Sequence, residues 1–324
     1  MRKYLVLLFV VNFLSSNSIL AWNDPTNSGN KSVKNNSITL RAANCTPATG
    51  KKFLEFNNVS SLIETGGSMW QDRSRNDAAY EVPKGSGETV IYAGALWMGG
   101  TDPNNQLRIA ALTFRSGNDF WAGPLSVDGG GSFDVSQGTL DWGFADISPE
   151  VCMEYDNFYI TERQNVELFN AWYECSNDPD CDVGSEYPNY QIPSSILQWP
   201  GNFNIDLDYT QSYDFNLAPF YDRNNDGIYN PGDGDYPWYD LSNQIDCRTS
   251  RRVTLYGDYN MWWVFNDKGN IHTETSGDPI GMEIKAQAFA FATNDEVNSM
   301  TFYNYELINR SYYTLNNTYF AIWV

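Results

Sequence analysis

The fold class is first indicated by the stretch Ile280-Gly-Met-Glu-Ile-Lys-Ala-Gln-Ala-Phe-Ala-Phe291. Its even-numbered positions are apolar throughout, whereas its odd-numbered positions change from Gly, Glu, Lys and Gln to Phe. Side chains of a strand alternate between its two faces. The stretch therefore predicts a strand with one face in the core, whose other face begins half-exposed and ends buried.

Further extended segments lie on both sides of this strand. Glu88 to Met98 and Gln106 to Arg115 are β-prone and flank a turn cluster of Gly, Asp, Pro and Asn, which predicts a hairpin. Met300 to Ile308 and Tyr313 to Val324 predict two more strands. The sequence thus predicts an all-β fold of packed antiparallel sheets, similar to a sandwich, with one short helix and long loops.

The helix is predicted to begin at Thr161, which would act as its N-cap with Gln164 completing a capping box. Apolar residues then recur at helical spacing, at Val166, Phe169, Trp172 and Tyr173. Such a stripe is typical of core packing, and a cofactor site is the weaker interpretation.

The N-terminus has the pattern of a secretory signal. Arg2 and Lys3 precede an apolar run from Leu5 to Leu14, and Ala21 offers a small residue for cleavage. Residues 1–21 are therefore predicted to be a signal peptide, with a retained membrane anchor as the alternative. No later segment is apolar enough to predict a membrane span.

The remaining chain divides by composition. Residues 22–50 are polar and predict a flexible N-terminal arm, and residues 51–324 predict one β-rich domain. The apolar run from Phe320 to Val324 reads as a buried strand with no turn after it. We therefore expect a domain truncated at its C-terminus, in a chain that continues beyond Val324.

The charge balance limits the possible partners. The chain has 40 acidic and 20 basic residues and a net charge of −20. Such a field repels nucleic acid and anionic lipid, so neither is expected as a partner. Apolar residues make up 42% and aromatic residues 15% of the chain, which favours a folded core over disorder.

Five cysteines fit an exported protein with disulfides. Cys175 and Cys181 bracket a short loop and are the predicted pair. Cys152 is provisionally paired with Cys247, which leaves Cys45 free. Zinc is disfavoured because the chain has no CxxC motif and one histidine, His272.

The sharpest motif is Asp222-Arg-Asn-Asn-Asp-Gly-Ile-Tyr-Asn-Pro-Gly-Asp233. Calcium is bound by six to eight oxygen atoms around a tight loop, with side-chain ligands at positions 1, 3, 5 and 12, a glycine at position 6 and a carbonyl at position 7. The predicted ligands are the side chains of Asp222, Asn224, Asp226 and Asp233 and the main-chain carbonyl of Ile228. Asp233 is one methylene shorter than the usual Glu, and Asp235 is a reserve ligand.

No helical pattern flanks this loop, so an EF-hand is not predicted. The motif resembles the calcium loops of dockerins and thrombospondin type 3 repeats. The alternative is an Asp/Asn/Gly turn that holds no metal. A bound ion would have a structural role, pinning the segment ending at Phe220 to the segment beginning at Tyr236.

Other chemistry is weakly indicated. Glycoside hydrolysis needs two carboxylates, but none stands out among the candidates Asp119, Asp206, Asp208 and Glu283. His272 could act as a base, yet no GxSxG elbow accompanies it, and a histidine bonded to its neighbours is the better interpretation. Tryptophans could stack on sugars or pack in the core, and they include Trp97, Trp121, Trp142, Trp199, Trp262 and Trp263.

Three strings carry a family resemblance: Tyr92 to Gly100 with Ala110 to Leu125, Leu217 to Pro237, and Trp262 to His272. Together they resemble the N-terminal region of large surface proteins of Bacteroidetes, which often end in a type IX secretion sorting domain. The resemblance implies export and display on, or release from, the cell surface. It implies no reaction.

The leading functional hypothesis is an exported, calcium-stabilised, non-catalytic module with a structural or adhesive role, located outside the cell. Its partner would be an extracellular glycan or a surface protein. The alternative is a glycan-binding or glycan-cleaving extracellular protein. No catalytic residue is assigned.

Overall fold

The computed structural model describes residues 44–126, 145–203, 213–238, 257–311 and 314–324, and outside these ranges only the backbone of three short strands. The strands, in chain order, are β1 (Phe9–Asn12), β2 (Lys51–Leu54), β3 (Ser60–Glu64), β4 (Ser68–Met69), β5 (Gln71–Asp72), β6 (Asp77–Ala78), β7 (Tyr80–Glu81), β8 (Gly94–Thr101), β9 (Leu107–Ala110), β10 (Trp121–Ala122), β11 (Phe133–Asp134), β12 (Thr139–Leu140), β13 (Tyr159–Glu162), β14 (Phe220–Tyr221), β15 (Tyr236–Pro237), β16 (Tyr259–Asn266), β17 (Met282–Ala290), β18 (Phe302–Asn309) and β19 (Asn316–Trp323). The helices are α1 (Pro149–Glu154), α2 (Arg163–Ser176), α3 (Val183–Glu186) and α4 (Ser194–Leu197), with 3₁₀ turns at Pro231–Asp233 and Glu296–Ser299.

Two large sheets confirm the predicted mostly β fold. The first has the order β1-β18-β17-β16-β10, with β13 also paired to β16, and the second has the order β19-β8-β4-β3-β2, with β7 and β9 at its sides. All of these pairs are antiparallel except β1 with β18. The largest core cluster draws residues from both sheets, so the sheets pack face to face as in a sandwich.

Strand β16 is buried on both faces and separates two apolar clusters. Met261, Trp263 and Phe265 point into the core between the sheets. Trp262 and Val264 point the other way, into a second cluster that covers the outer face of the first sheet. The alternation of a strand therefore places two adjacent tryptophans in two different cores.

Strand β17 confirms one predicted face and corrects the other. Its even-numbered residues from Ile280 to Ala290 lie in the core between the sheets, as predicted. The opposite face does not begin half-exposed, because Glu283 is fully buried. Its carboxylate accepts hydrogen bonds from the Leu125 N–H at 2.8 Å and from the Arg310 guanidinium at 2.9 Å, so a pairing partner brought from elsewhere in the chain allows its burial.

The remaining strand predictions are confirmed with shifted bounds. β8 and β9 form the predicted hairpin, but β8 begins only at Gly94. A side chain at that position would collide with the ring of Trp70, 2.3 Å from its nearest atom, so the strand needs glycine there. The last strand, β19, pairs with β8 alone among the described strands. Its residues Phe320 and Ile322 pack against the core between the sheets, whereas Tyr319 is 76% exposed.

The long helix is confirmed, but its predicted N-cap is wrong. Thr161 belongs to β13 and pairs with Asn260 of β16, so the helix begins two residues later at Arg163, without a side-chain cap. Because Thr161 is paired in the β13–β16 ladder, it does not cap the helix as the predicted capping box required. Val166 and Phe169 are buried in a third cluster with Trp172 and Tyr173 packed against it, which confirms the core-packing interpretation.

One cysteine prediction is confirmed and another is corrected. Cys175 pairs with Cys181 as predicted. Cys45 is not free, because it forms a disulfide with Cys152 and is fully buried. The proposed partner Cys247 lies outside the described residues.

This disulfide also corrects the predicted boundary of the flexible arm. The Thr49 and Gly50 N–H groups donate to the Asp156 carboxylate at 2.8 and 2.9 Å. Residues 44–50 are therefore fixed to the domain, which begins before residue 51. The predicted signal peptide and the rest of the arm lie outside the described residues, apart from β1.

Candidate metal centre

The predicted calcium loop connects two short strands that pair with each other. β14 and β15 are antiparallel, with Phe220 opposite Pro237 and Tyr221 opposite Tyr236. The rings of Tyr221 and Tyr236 stack with their centroids 5.0 Å apart. Aromatic packing thus holds the two ends of the loop together.

The first half of the loop is folded around its own acidic side chains. Asp222 accepts hydrogen bonds from the N–H groups of Asp226 at 3.2 Å and Gly227 at 2.7 Å. Asn224 accepts from the Asp226 N–H at 3.1 Å, and Asp226 accepts from the Ile228 N–H at 2.7 Å. The structure therefore brings together the first three predicted ligands.

The turn depends on two residues with left-handed backbone. Asn225 has φ of +60° and Gly227 has φ of +78°. Asparagine tolerates this region and glycine adopts it without strain. The side chain of Ile228 is 51% exposed.

The second half of the loop differs from the prediction. Asp233 lies in the Pro231–Asp233 turn, where it is exposed and its carboxylate accepts a hydrogen bond from the Asn230 amide at 2.6 Å. Asp235, which the sequence indicated only as a reserve, closes the loop. Its carboxylate is buried and accepts from the N–H groups of Arg223 at 2.8 Å and Asn230 at 2.9 Å.

The raised pKa of Asp235 indicates that the negative charges of the loop acids repel one another. Burial raises the pKa of the Asp235 carboxyl, and the negative charges of Asp222 and Asp226 raise this pKa further. Like charges that share a site disfavour one another's ionised form. A divalent cation placed among them would relieve this repulsion.

A link between the loop and helix α2 was missed by the sequence reasoning. The Arg223 guanidinium lies over the Tyr173 ring, 4.9 Å from its centroid. It also donates to the Asn170 side chain at 2.8 Å and to the Gly234 carbonyl at 3.3 Å. Arginine two residues after a strand gives no sequence signal for such a contact, because its partners are some 50 residues away in the chain.

The loop has the oxygen ligands that calcium prefers, but the structure does not gather them around one point. Carboxylate, amide and carbonyl oxygens are the ligands that calcium prefers. In the part of the chain that the structure describes, no three His, Cys, Asp or Glu side chains are gathered as a metal cluster. The Asp233 carboxylate is bonded to the Asn230 amide and is not part of the hydrogen-bond network of Asp222, Asn224 and Asp226.

The histidine considered as a base is buried. The ring nitrogens of His272 lie 2.8 Å from the Ile109 carbonyl oxygen and 2.6 Å from the Asp267 carbonyl oxygen. This confirms the interpretation of a histidine bonded to its neighbours.

Of the acids considered for catalysis, the structure describes Asp119 and Glu283, and these two belong to separate hydrogen-bond networks. Asp119 is buried and accepts hydrogen bonds from Ala111 and Thr275, whereas Glu283 is bound by Arg310. The other candidates, Asp206 and Asp208, lie outside the described residues, as does Trp142.

The chain matches no protein-family model, no curated protein and no solved structure. Among the described residues, no helix is long and apolar enough to cross a membrane. The resemblance to surface proteins of Bacteroidetes therefore remains a prediction from the sequence.

Proposed function

We propose that this protein is an exported, non-catalytic module of the bacterial cell surface, stabilised by calcium bound at the Asp222–Asp233 loop. Its role would be structural or adhesive, with an extracellular glycan or a surface protein as partner. Secretion through the type IX pathway in a member of the Bacteroidetes is part of this proposal.

The observation that carries the proposal is the fold of the loop. The side chains of Asp222 and Asn224 both accept from the Asp226 N–H, and the Asn224 amide donates to the Asp226 carboxylate, in a loop between two paired strands. The ends of the loop are therefore fixed before an ion arrives. Little chain entropy would be lost on binding, which favours a site that stabilises the fold.

Two further observations support export. Disulfides persist in oxidising compartments, and the described part of the chain contains Cys45–Cys152 and Cys175–Cys181. The acidic surface suits the extracellular space, where calcium is abundant.

The proposal predicts that the chelator EGTA lowers the melting temperature of the wild-type protein. An ion at about 100 times its dissociation constant adds about 2.7 kcal/mol, which corresponds to roughly 5–10 °C for a domain of this size. Asp226→Ala should melt near the chelated wild-type temperature and should not respond to EGTA. The measurement is differential scanning calorimetry with added calcium and with EGTA.

The matched control is Asp178→Ala, which removes another exposed aspartate that accepts a hydrogen bond from the residue two positions on. This variant should keep the full EGTA response. If the wild-type protein melts at the same temperature with calcium and with EGTA, the calcium proposal is wrong.

A further inference from the structure

The outer face of the β8–β19 pair carries a row of aromatic residues. Residues that stand opposite each other in an antiparallel ladder share a face of the sheet. Each large ring on this face stands opposite a small residue, in the pairs Trp323 with Ala95, Trp97 with Ala321, and Tyr319 with Gly99. The three rings therefore cross from one strand to the other at each step along the ladder.

The spacing brings two of these rings into direct contact. Successive steps on one face of a strand are about 6.8 Å apart. The rings of Trp97 and Trp323 are nearly parallel, at 6°, with centroids 5.8 Å apart. Because a glycine or an alanine stands opposite, each ring has room to lie across the neighbouring strand.

Two more rings extend the row beyond Trp323. Phe114 stacks on Trp323 at 6.4 Å, and Tyr92 meets the edge of Phe114 at 6.4 Å. Phe114 is 48% and Tyr92 is 44% exposed, and Tyr319 at the other end is 76% exposed. Trp97 and Trp323 are half-buried, because they also pack against the core between the sheets. Single exposed aromatics are ordinary, but four rings in mutual contact, with Tyr319 one step further along the same face, form an apolar surface of the kind that binds ligands.

One ring of the row is held in place by the fold. The Trp97 indole N–H donates to the Leu112 carbonyl at 2.6 Å, which fixes the orientation of the ring. A ligand that stacks on a fixed ring does not have to order it, so less entropy is lost on binding.

The charge of this face limits what it can bind. Neither Gly94–Thr101 nor Asn316–Val324 contains a charged residue, in a chain with 40 acidic and 20 basic residues. The net charge of −20 opposes an anionic ligand. The Arg115 guanidinium lies over the Phe114 ring, 5.8 Å from its centroid, and its positive charge opposes a cationic ligand. Asn316 and Asn317 at the end of β19 are exposed and supply neutral hydrogen-bonding groups.

A sugar in pyranose form matches these properties. Its C–H face is apolar and flat, and its rim consists of neutral hydroxyl groups. Tryptophan and tyrosine combine an apolar ring with a polar group, which suits such a ligand. We propose that the row formed by Trp323, Trp97 and Tyr319 binds neutral polysaccharide by stacking sugar rings on the aromatic rings, an inference that rests on the extracellular role proposed above.

The test is affinity electrophoresis in native gels that contain a neutral polysaccharide, with barley β-glucan, xylan and galactomannan as probes and alginate as the anionic comparison. The wild-type protein is retarded by at least one neutral probe and not by alginate. Tyr319→Ala removes an exposed ring that the fold does not need, and it weakens binding about tenfold. Trp97→Ala abolishes the retardation.

The matched control is Phe215→Ala, which removes a 49% exposed ring from a segment that packs on the other sheet. This variant migrates as the wild type. The proposal is overturned if no neutral probe retards the wild type, or if Tyr319→Ala binds as tightly as the wild type. It is also overturned if Tyr319→Ala changes only self-association, which would make the face a contact between copies of the chain.

The same gels run with EGTA separate this proposal from calcium binding. No residue of the Asp222–Asp233 loop belongs to the aromatic row, so retardation persists in EGTA. Retardation that disappears on chelation would contradict stacking as an independent function of this face.

Discussion

A single carboxylate, Asp156, joins three parts of the chain. It follows helix α1 and accepts hydrogen bonds from Thr49 and Gly50 of the N-terminal segment and from the Thr65 hydroxyl of the second sheet. Burial by itself would raise the pKa of Asp156, but these hydrogen bonds outweigh it and hold the pKa below its usual range. The ionised carboxylate is therefore the form that holds the segment.

This depressed pKa predicts a pH-dependent effect for Asp156→Asn. A group whose pKa is lower in the folded state stabilises above its unfolded pKa, and that stability is lost as the pH falls through the folded value. At neutral pH the substitution should lower the free energy of unfolding by about 1–3 kcal/mol. The difference from the wild type should shrink towards about pH 3, below the unfolded aspartate pKa of about 3.9.

Urea unfolding at both pH values measures this difference. Asp77→Asn is the control, because its side chain is 64% exposed and should change stability little at either pH. A difference between Asp156→Asn and the wild type that stays constant with pH would show that the charge has no part in holding the segment.

The sequence predicted some residues of the loop correctly and could not predict others. The spacing of Asp222, Asn224 and Asp226 was sufficient to predict that they meet, because hydrogen bonds between near neighbours form such turns. Which acid closes the loop could not be predicted from spacing. Asp235 closes it instead of Asp233, because the chain turns left-handed at Gly234 and buries the following carboxylate.

At the scale of elements, several contacts join the loop to helix α2. Arg223 connects them through Tyr173 and Asn170, and Tyr236 of β15 packs in the same apolar cluster as Phe169. The Cys175–Cys181 disulfide fixes the far end of the helix. A substitution in the loop should therefore change the stability of α2.

Arg223→Lys tests this connection. Lysine keeps the charge but has no planar guanidinium, so it cannot stack on Tyr173 and donate to Asn170 at the same time. We expect the variant to lose about 1–2 kcal/mol of stability. Amide hydrogen exchange should become faster in α2 and remain unchanged in β16 and β17.

Arg115→Lys provides the comparison, since Arg115 also lies over an aromatic ring, Phe114, at 5.8 Å. It should leave exchange in α2 unchanged. If Arg223→Lys exchanges like the wild type throughout α2, the loop and the helix are not coupled through this residue.

The elements themselves were predictable where local pattern decides the structure. Alternation identified β17 and the hairpin of β8 and β9, and helical spacing identified α2. The start of α2 was not predictable, because Thr161 can either cap a helix or pair in a strand. Thr161 pairs in a strand because Asn260, 99 positions later in the chain, is its partner. A local sequence pattern cannot predict so distant a partner.

At the scale of the whole molecule, the fold has an additional apolar layer that periodicity did not reveal. Segments from several parts of the chain cover the outer face of the first sheet and bury Trp262 and Val264. The same covering explains why Glu283 is buried and why Cys45 meets Cys152. Local sequence patterns predict strands and their faces, but the contacts between distant segments depend on the assembled fold.

Calcium at the Asp222–Asp233 loop is the central feature of the proposed function. The most direct measurement is isothermal titration of calcium into chelator-stripped protein, comparing the wild type with Asp222→Ala and Asp178→Ala. We expect the wild type and Asp178→Ala to bind calcium at a single site and Asp222→Ala to lose that site. The central claim is contradicted if the wild type gives no binding heat, or if Asp222→Ala binds calcium as the wild type does.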